Sequence, residues 1–194
     1  MEWPGIKVVG FVLMRQHFHA AQPPTSLHLP SENCVVSAMV EISLVEVPAM
    51  NVLGTKKTGT YALIPGLLMN VFSYILKKKA AVTGPPLFLC HETSPAAVHE
   101  ANEQGTAVVE VAWPVNTPLK GTKEITAYVL PGGRMAHVVH KGPYETCEPT
   151  YLALFAWIEE NGLTICGPIR EAYPNDPREV PPEEIITEIY VPVR

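Results

Sequence analysis

A block of residues in the first half of this chain returns, without a gap, in the second. The shift that carries Gly59 onto Gly142 also carries Pro48 onto Pro131, Tyr61 onto Tyr144, Phe72 onto Phe155, Ile75 onto Ile158, Gly84 onto Gly167 and Pro85 onto Pro168. An ordered series of this kind constrains the fold more than any single motif. Each copy must be one supersecondary unit, and the units must bury their apolar faces together. Beyond the block the shift shortens, so that Glu110 falls on Glu188, because the loop 92–106 is longer than its counterpart 175–184. Both closing strands read Glu, three residues, Pro-Val.

Each copy reads strand, helix, strand, strand. In the first, 47–57 alternates as an extended segment, preceded by the alternating run 40–48. Leu63, Leu67, Leu68, Val71, Phe72, Ile75 and Leu76 then recur at three- and four-residue spacing, the pattern of an amphipathic helix. Pro65 suits its first turn, and Lys77, Lys78 and Lys79 suit its C-terminal end, where the helix dipole favours cations. Strands follow at 87–90 and 107–115. In the second copy, 125–129 and 135–140 are extended. The segment 147–161 is a helix with Leu152, Phe155, Ala156 and Ile158 toward the core, stopped at Asn161-Gly162. Strands at 169–173 and 185–193 close the chain, and the linker 116–123 is rich in Pro, Gly and Thr.

Two such units bury their faces best when joined edge to edge. The expected architecture is α+β: pseudo-twofold duplicated β-α-β-β units forming one antiparallel sheet, with two helices on one face and a ligand groove on the other. Repeat one covers about 39–115 and repeat two about 124–194. Residues 1–38 read as an irregular N-terminal extension, with Met39 as an alternative start. Its His17 and His19 lack a third ligand nearby and read as a polar tail.

The last strand carries the most suggestive chemistry. Alternation puts Glu188 on one face with Ile186, Tyr190 and Pro192, and turns Ile185, Thr187, Ile189, Val191 and Val193 toward the core. A carboxylate among apolar neighbours is poorly solvated, so a partner cation is favoured there. Each aromatic face beside it adds about 0.5–2 kcal/mol of cation–π attraction. Glu110 is the pseudo-symmetric partner, with Ala112 where Tyr190 stands, so Glu188 is the stronger candidate. Glu171 shares a strand face with Tyr173 and reads either as a second ligand-facing carboxylate or as a surface group paired with Arg170 or Lys141. Tyr61 and Tyr144 both follow a glycine at a strand-to-helix turn.

The bulk composition excludes several classes. The 194 residues carry a formal net charge of −5, which argues against nucleic-acid binding as the main task. Cys34, Cys90, Cys147 and Cys166 form no C-x-x-C pair, and read as buried thiols in a reducing compartment. His137 and His140 lie three apart on a strand and make a poor metal pair, so no metal and no cofactor are expected. No apolar run is long enough to span a bilayer, and a cytoplasmic location is the default reading.

Lys141-Gly142-Pro143-Tyr144-Glu145, Gly167-Pro168-Ile169-Arg170-Glu171-Ala172-Tyr173, Asn175-Asp176 and Thr187-Glu188-Ile189-Tyr190-Val191-Pro192-Val193 carry a resemblance. From about Met39 onward the chain resembles the GyrI-like small-molecule-binding domain, which is also the effector-binding module of multidrug-responsive transcription activators. The resemblance implies a groove between the repeats, lined by aromatics, with a buried glutamate that attracts amphipathic or cationic ligands. Glu188 is the position matched to that glutamate, Tyr144 and Tyr173 match by motif, and Tyr190 by strand face. No helix-turn-helix is legible upstream, so a stand-alone ligand-binding protein is expected, without direct contact to nucleic acid. Two alternatives follow from the same resemblance. One is a hydrolase of electrophilic, cyclopropane-type compounds using Glu188 with Tyr144 or Tyr190. The other is a protein-binding module of the DNA gyrase-inhibitor kind.

Overall fold

The structure is a computed structural model in which residues 41–116 and 119–194 are described. The extension 1–38, with His17, His19 and Cys34, lies outside them. The elements run β1 (Ser43–Val47), β2 (Met50–Gly59), α1 (Ile64–Lys77), β3 (Leu87–Cys90), α2 (Pro95–Gln104), β4 (Ala107–Pro114), β5 (Thr126–Leu130), β6 (Gly133–Lys141), α3 (Glu148–Glu160), β7 (Ile169–Ala172) and β8 (Ile186–Pro192). The eight strands form one antiparallel sheet in the order β1-β6-β8-β7-β3-β4-β2-β5. Exchanging β1–β4 with β5–β8 reverses this order. The architecture is therefore α+β, with β3 and β7 paired at the centre.

The sheet curls strongly. β1 and β2 sit near opposite ends of the order, yet only Pro48 and Ala49 separate them; Pro131 and Gly132 likewise join β5 to β6. Two residues reach only about 3.5 Å each, so the ends of the sheet must approach each other. The two links pass in contact. A Cβ on Gly132 would fall within the van der Waals envelopes of Val47 O and Ala49 N.

One face of the sheet carries the main core. Leu53, Phe88, Val111, Val138, Ile189 and Val191 pack there against Ile64, Leu68, Val71 and Ile75 of α1 and Tyr151, Leu154 and Ile158 of α3. Pro65 stands in the first turn of α1 and Pro149 in that of α3, where the missing N–H costs no hydrogen bond. On the other face a smaller cluster gathers Val52, Leu87, Leu89, Ala112, Leu130 and Ala172.

Three expectations are corrected. The loop 92–106 contains a third helix, α2, whose punctuation is plain in the sequence. Ser94 caps it by accepting from Ala97 N at 3.3 Å, Pro95 opens it, and Gly105 closes it at φ +66°. Only Val98 of α2 is buried, so no apolar stripe announces it. Leu63, Leu76, Leu152 and Ala156 are exposed rather than core, since the buried stripes follow Ile64–Leu68–Ile75 and Tyr151–Leu154–Ile158. Cys166 is exposed, whereas Cys90 and Cys147 are buried free thiols.

Candidate functional site

The alternation of β7 divides two chemistries. Ile169, Glu171 and Tyr173 point to the helices, while Arg170 and Ala172 point to the opposite face. Glu171 is 1% exposed and accepts hydrogen bonds from Tyr173 Oη at 2.6 Å and from Tyr151 Oη. Tyr151 reaches it from the first turn of α3. Burial pushes the Glu171 carboxyl above the usual range, and the two hydroxyls oppose that shift without cancelling it. No lysine or arginine contributes to its titration.

Tyr144 completes this cage. Its ring meets Tyr173 edge-on at 5.8 Å, and its buried hydroxyl has no partner among the described residues. The equivalent Tyr61 donates to Glu92 Oε2 at 2.8 Å. The shift that pairs these tyrosines replaces Glu92 with Asn175, whose amide is occupied by Glu184 O at 2.8 Å and Ile186 N at 3.0 Å. The asymmetry therefore leaves one tyrosine hydroxyl without an acceptor. Cys90 and Cys147 lie close by, and burial pushes both thiols up, assisted at Cys90 mainly by Glu92 and at Cys147 by Glu171. They are poor nucleophiles. A cavity of about 350 Å³, lined by Trp113, Tyr173, Pro85 and Asp176, opens where β3 begins and β7 ends.

The opposite face holds a groove of about 490 Å³. Register brings Met135, His137, Tyr190, Glu188, Arg170, Ala172 and Leu87 onto this face. Tyr190 Oη donates to Glu188 Oε2 at 2.7 Å, and His137 stacks on Tyr190 at 4.4 Å. Burial lowers the His137 pKa despite the neighbouring Glu188. Arg170 is 6% exposed; its Nη2 donates to Pro131 O at 2.8 Å, while Nε and Nη1 have no acceptor among the described residues.

Glu110 stands apart from Glu188 on the same face, in a recess of about 310 Å³ with Lys56 and Tyr128. Lys56 Nζ and His91 Nε2 each approach Glu110 Oε2 at 2.7 Å, and Tyr128 Oη donates to Oε1 at 2.6 Å. Burial alone would raise this carboxyl. Its hydrogen bonds from His91, Lys56 and Tyr128 outweigh burial and hold the pKa at about 2.

The six residues expected around one groove thus fall in three places. Glu188 and Tyr190 line the open groove, Glu110 has its own recess, and Glu171, Tyr173 and Tyr144 lie on the helix face, with the sheet between. Glu171 does not meet Arg170, because neighbours on a strand face opposite ways, nor Lys141, which is exposed on β6 while Glu171 is buried on β7. Tyr151, Arg170, His137, Lys56, His91 and Tyr128 were not foreseen as site residues. Alternation from Glu171 would have placed Arg170 on the groove face, whereas the others depend on register. Among the described residues, no group of three His, Cys, Asp or Glu side chains gathers to hold a metal, and no helix is long and apolar enough to cross a membrane.

Comparison with known proteins agrees with this architecture. The model of the GyrI-like small molecule binding domain matches residues 40–194. No curated protein matches the sequence. Among solved structures, the EcmrR C-terminal domain superposes with a TM-score of 0.70 at 23% identity, covering 80% of this chain and 98% of that one. EcmrR solved in its DNA complex superposes at 0.71 with 23% identity over 82% of this chain, which spans only 59% of the EcmrR chain. A hydrolase encoded by lin2189 from Listeria innocua gives 0.56 at 15% identity, over 79% of this chain and 92% of that one. SAV2435 bound to tetraphenylphosphonium gives 0.53 at 14%, over 79% and 94%. At these identities the structural likeness concerns the fold. The family match covers most of the chain, which therefore belongs to the GyrI-like small-molecule-binding domain family.

Proposed function

We propose that the protein binds lipophilic organic cations on the helix face of the sheet, with Glu171 supplying the negative charge and Tyr144, Tyr151 and Tyr173 the aromatic walls. The carrying observation is Glu171 itself: a carboxyl enclosed by protein, held by two tyrosine hydroxyls, with no cationic partner among the described residues. Such a group is costly to ionise where it stands. An organic cation offsets that cost while needing little hydration of its own, and tyrosine faces add cation–π attraction. Tyr173 both lines the cavity at Trp113 and donates to Glu171, so that cavity is the entry to the cage. SAV2435, which shares the fold, was solved with tetraphenylphosphonium.

A thermal-shift titration tests this with tetraphenylphosphonium against neutral triphenylphosphine oxide. The cation raises the Tm and the neutral compound does not. Glu171→Gln loses the shift and Glu188→Gln keeps it. An equal shift in wild type and Glu171→Gln would remove Glu171 from the account.

A second reading, hydrolysis of small electrophiles, is favoured by one observation. A carboxyl whose pKa is raised by burial stands near the unpartnered hydroxyl of Tyr144, which suits proton transfer to a leaving group. Incubation with an electrophilic cyclopropane compound followed by mass spectrometry decides it. Turnover that disappears in Glu171→Gln and Tyr144→Phe supports the reaction; absence of turnover in the wild type eliminates it.

A further inference from the structure

The open groove differs from the helix-face cage in holding two charges of opposite sign that do not neutralise each other. Arg170 lies directly across from Tyr190, and Glu188 directly across from Ala172, so the two charged residues are diagonal neighbours on adjacent strands, about 7–8 Å apart. They form no ion pair. The guanidinium is drawn instead to Pro131 O on the crossing link, and Glu188 to the Tyr190 hydroxyl.

The other half of the molecule shows what a neutralised version looks like. There Glu110 is held by Lys56 and His91, and Leu87 occupies the place equivalent to Arg170. In the groove, Arg170 keeps two enclosed N–H positions without an acceptor, and no carboxylate among the described residues pairs with it. A buried guanidinium left in this condition is costly unless something else supplies the acceptor. Arg170 also borders a second cavity, of about 360 Å³, formed with Pro131, Gly133 and Pro168, so its surroundings have room for the polar atoms it lacks. Apart from the exposed Glu46 and Thr83 and the half-buried His137, the rest of the groove around Arg170 and Glu188 is largely apolar, with Val47, Met50, Leu87 and Met135 on its lining.

We propose that this groove is a second binding site, for an amphipathic ligand with an acidic group at one end and an amino group at the other. The carboxylate turns to Arg170, the ammonium to Glu188, and the apolar body lies over Leu87, Met50 and Met135. The stacked pair His137–Tyr190 forms the wall beside the ammonium. The site does not depend on the reading of the Glu171 cage, since the sheet separates the two.

The probes are ω-amino fatty acids of increasing chain length, each compared with the fatty acid and the alkylamine of the same length, by isothermal titration calorimetry on the full chain. At the best length the bifunctional compound binds at least about 10-fold tighter than either comparator. Arg170→Gln reduces it to the level of the alkylamine, Glu188→Gln to that of the fatty acid, and Glu171→Gln leaves it unchanged. If Arg170→Gln does not fold, Arg170→Lys and Glu188→Gln still decide, because a charge-retaining lysine preserves the preference and Glu188→Gln removes it. The proposal is overturned if no chain length outperforms its comparators, or if the preference survives in Glu188→Gln. Loss of the preference in Glu171→Gln would assign these ligands to the cage instead.

Discussion

Tyr173 donates its hydroxyl to Glu171 Oε2 at 2.6 Å from two residues along the same chain segment, so a strand face that looks ligand-directed in the sequence closes on itself. Burial, opposed but not cancelled by the Tyr151 and Tyr173 hydroxyls, leaves this carboxyl with a folded pKa above its unfolded value. Such a group contributes stability below the unfolded pKa, and that contribution is lost as pH rises through the folded one. Glu171→Gln removes the loss. The variant is therefore stabilised relative to wild type by more at pH 8 than at pH 4. Thermal unfolding at both pH values checks this, and an identical difference at the two would contradict it.

Cation binding at Glu171 carries a proton signature. A bound cation favours the ionised carboxylate, so binding releases a proton from a group that is raised in the free protein. Affinity for tetraphenylphosphonium rises with pH until the free-state pKa is passed, by up to about 10-fold per pH unit. Calorimetry in two buffers of different ionisation enthalpy counts the released proton. Binding without release would place the cation elsewhere.

Glu110 acts in the opposite sense. Its pKa of about 2 lies below the usual carboxylate value, so its contribution is present above about pH 4.5 and disappears as pH falls toward 2. Glu110→Gln flattens this part of the acid-unfolding profile. Among its partners, Tyr128→Phe costs about 1–2 kcal/mol, because a largely enclosed hydrogen bond to a charge is lost. Lys56→Met costs less than about 1 kcal/mol, because the half-exposed ammonium is screened by water. Urea denaturation of the two variants gives the comparison, and a larger loss for Lys56→Met would reverse the assignment.

The crossing of the two short links is testable at Gly132. A methyl group there meets backbone atoms of Val47, Pro48 and Ala49, none of which is the end of a flexible side chain. Gly132→Ala destabilises the fold by about 1–3 kcal/mol and loosens the Arg170–Pro131 hydrogen bond next to it. Hydrogen exchange at the links and the urea midpoint report both effects. A neutral substitution would mean that the links do not touch in solution.

Much of the fold was legible because it is local. The helix of α1 follows from the spacing of Leu67, Leu68, Val71 and Ile75, and the faces of β8 from the alternation through Glu188 and Tyr190. The third helix had legible signals in Ser94, Pro95 and Gly105, but its weak apolar stripe hid it. The candidate site was less legible. Glu171 and Tyr173 could be read as sharing a face, but which face the helices cover depends on Tyr151 of α3 arriving at Glu171 across twenty residues of chain.

By itself, the sequence determined where most strands and the helices α1 and α3 lie, and which side chains share a strand face. These follow from backbone periods of two and 3.6 residues, which every segment carries locally. Only the tertiary structure decided which carboxylates are neutralised. Glu110 acquires Lys56, His91 and Tyr128 because β2, β3 and β5 place them around it. Among the described residues, Glu188, its counterpart in sequence, is hydrogen-bonded by Tyr190, and Glu171 by Tyr151 and Tyr173. Charge pairing depends on distances of a few ångströms between segments far apart in the chain. Those distances are set by strand register and by the curl of the sheet, which no single segment encodes.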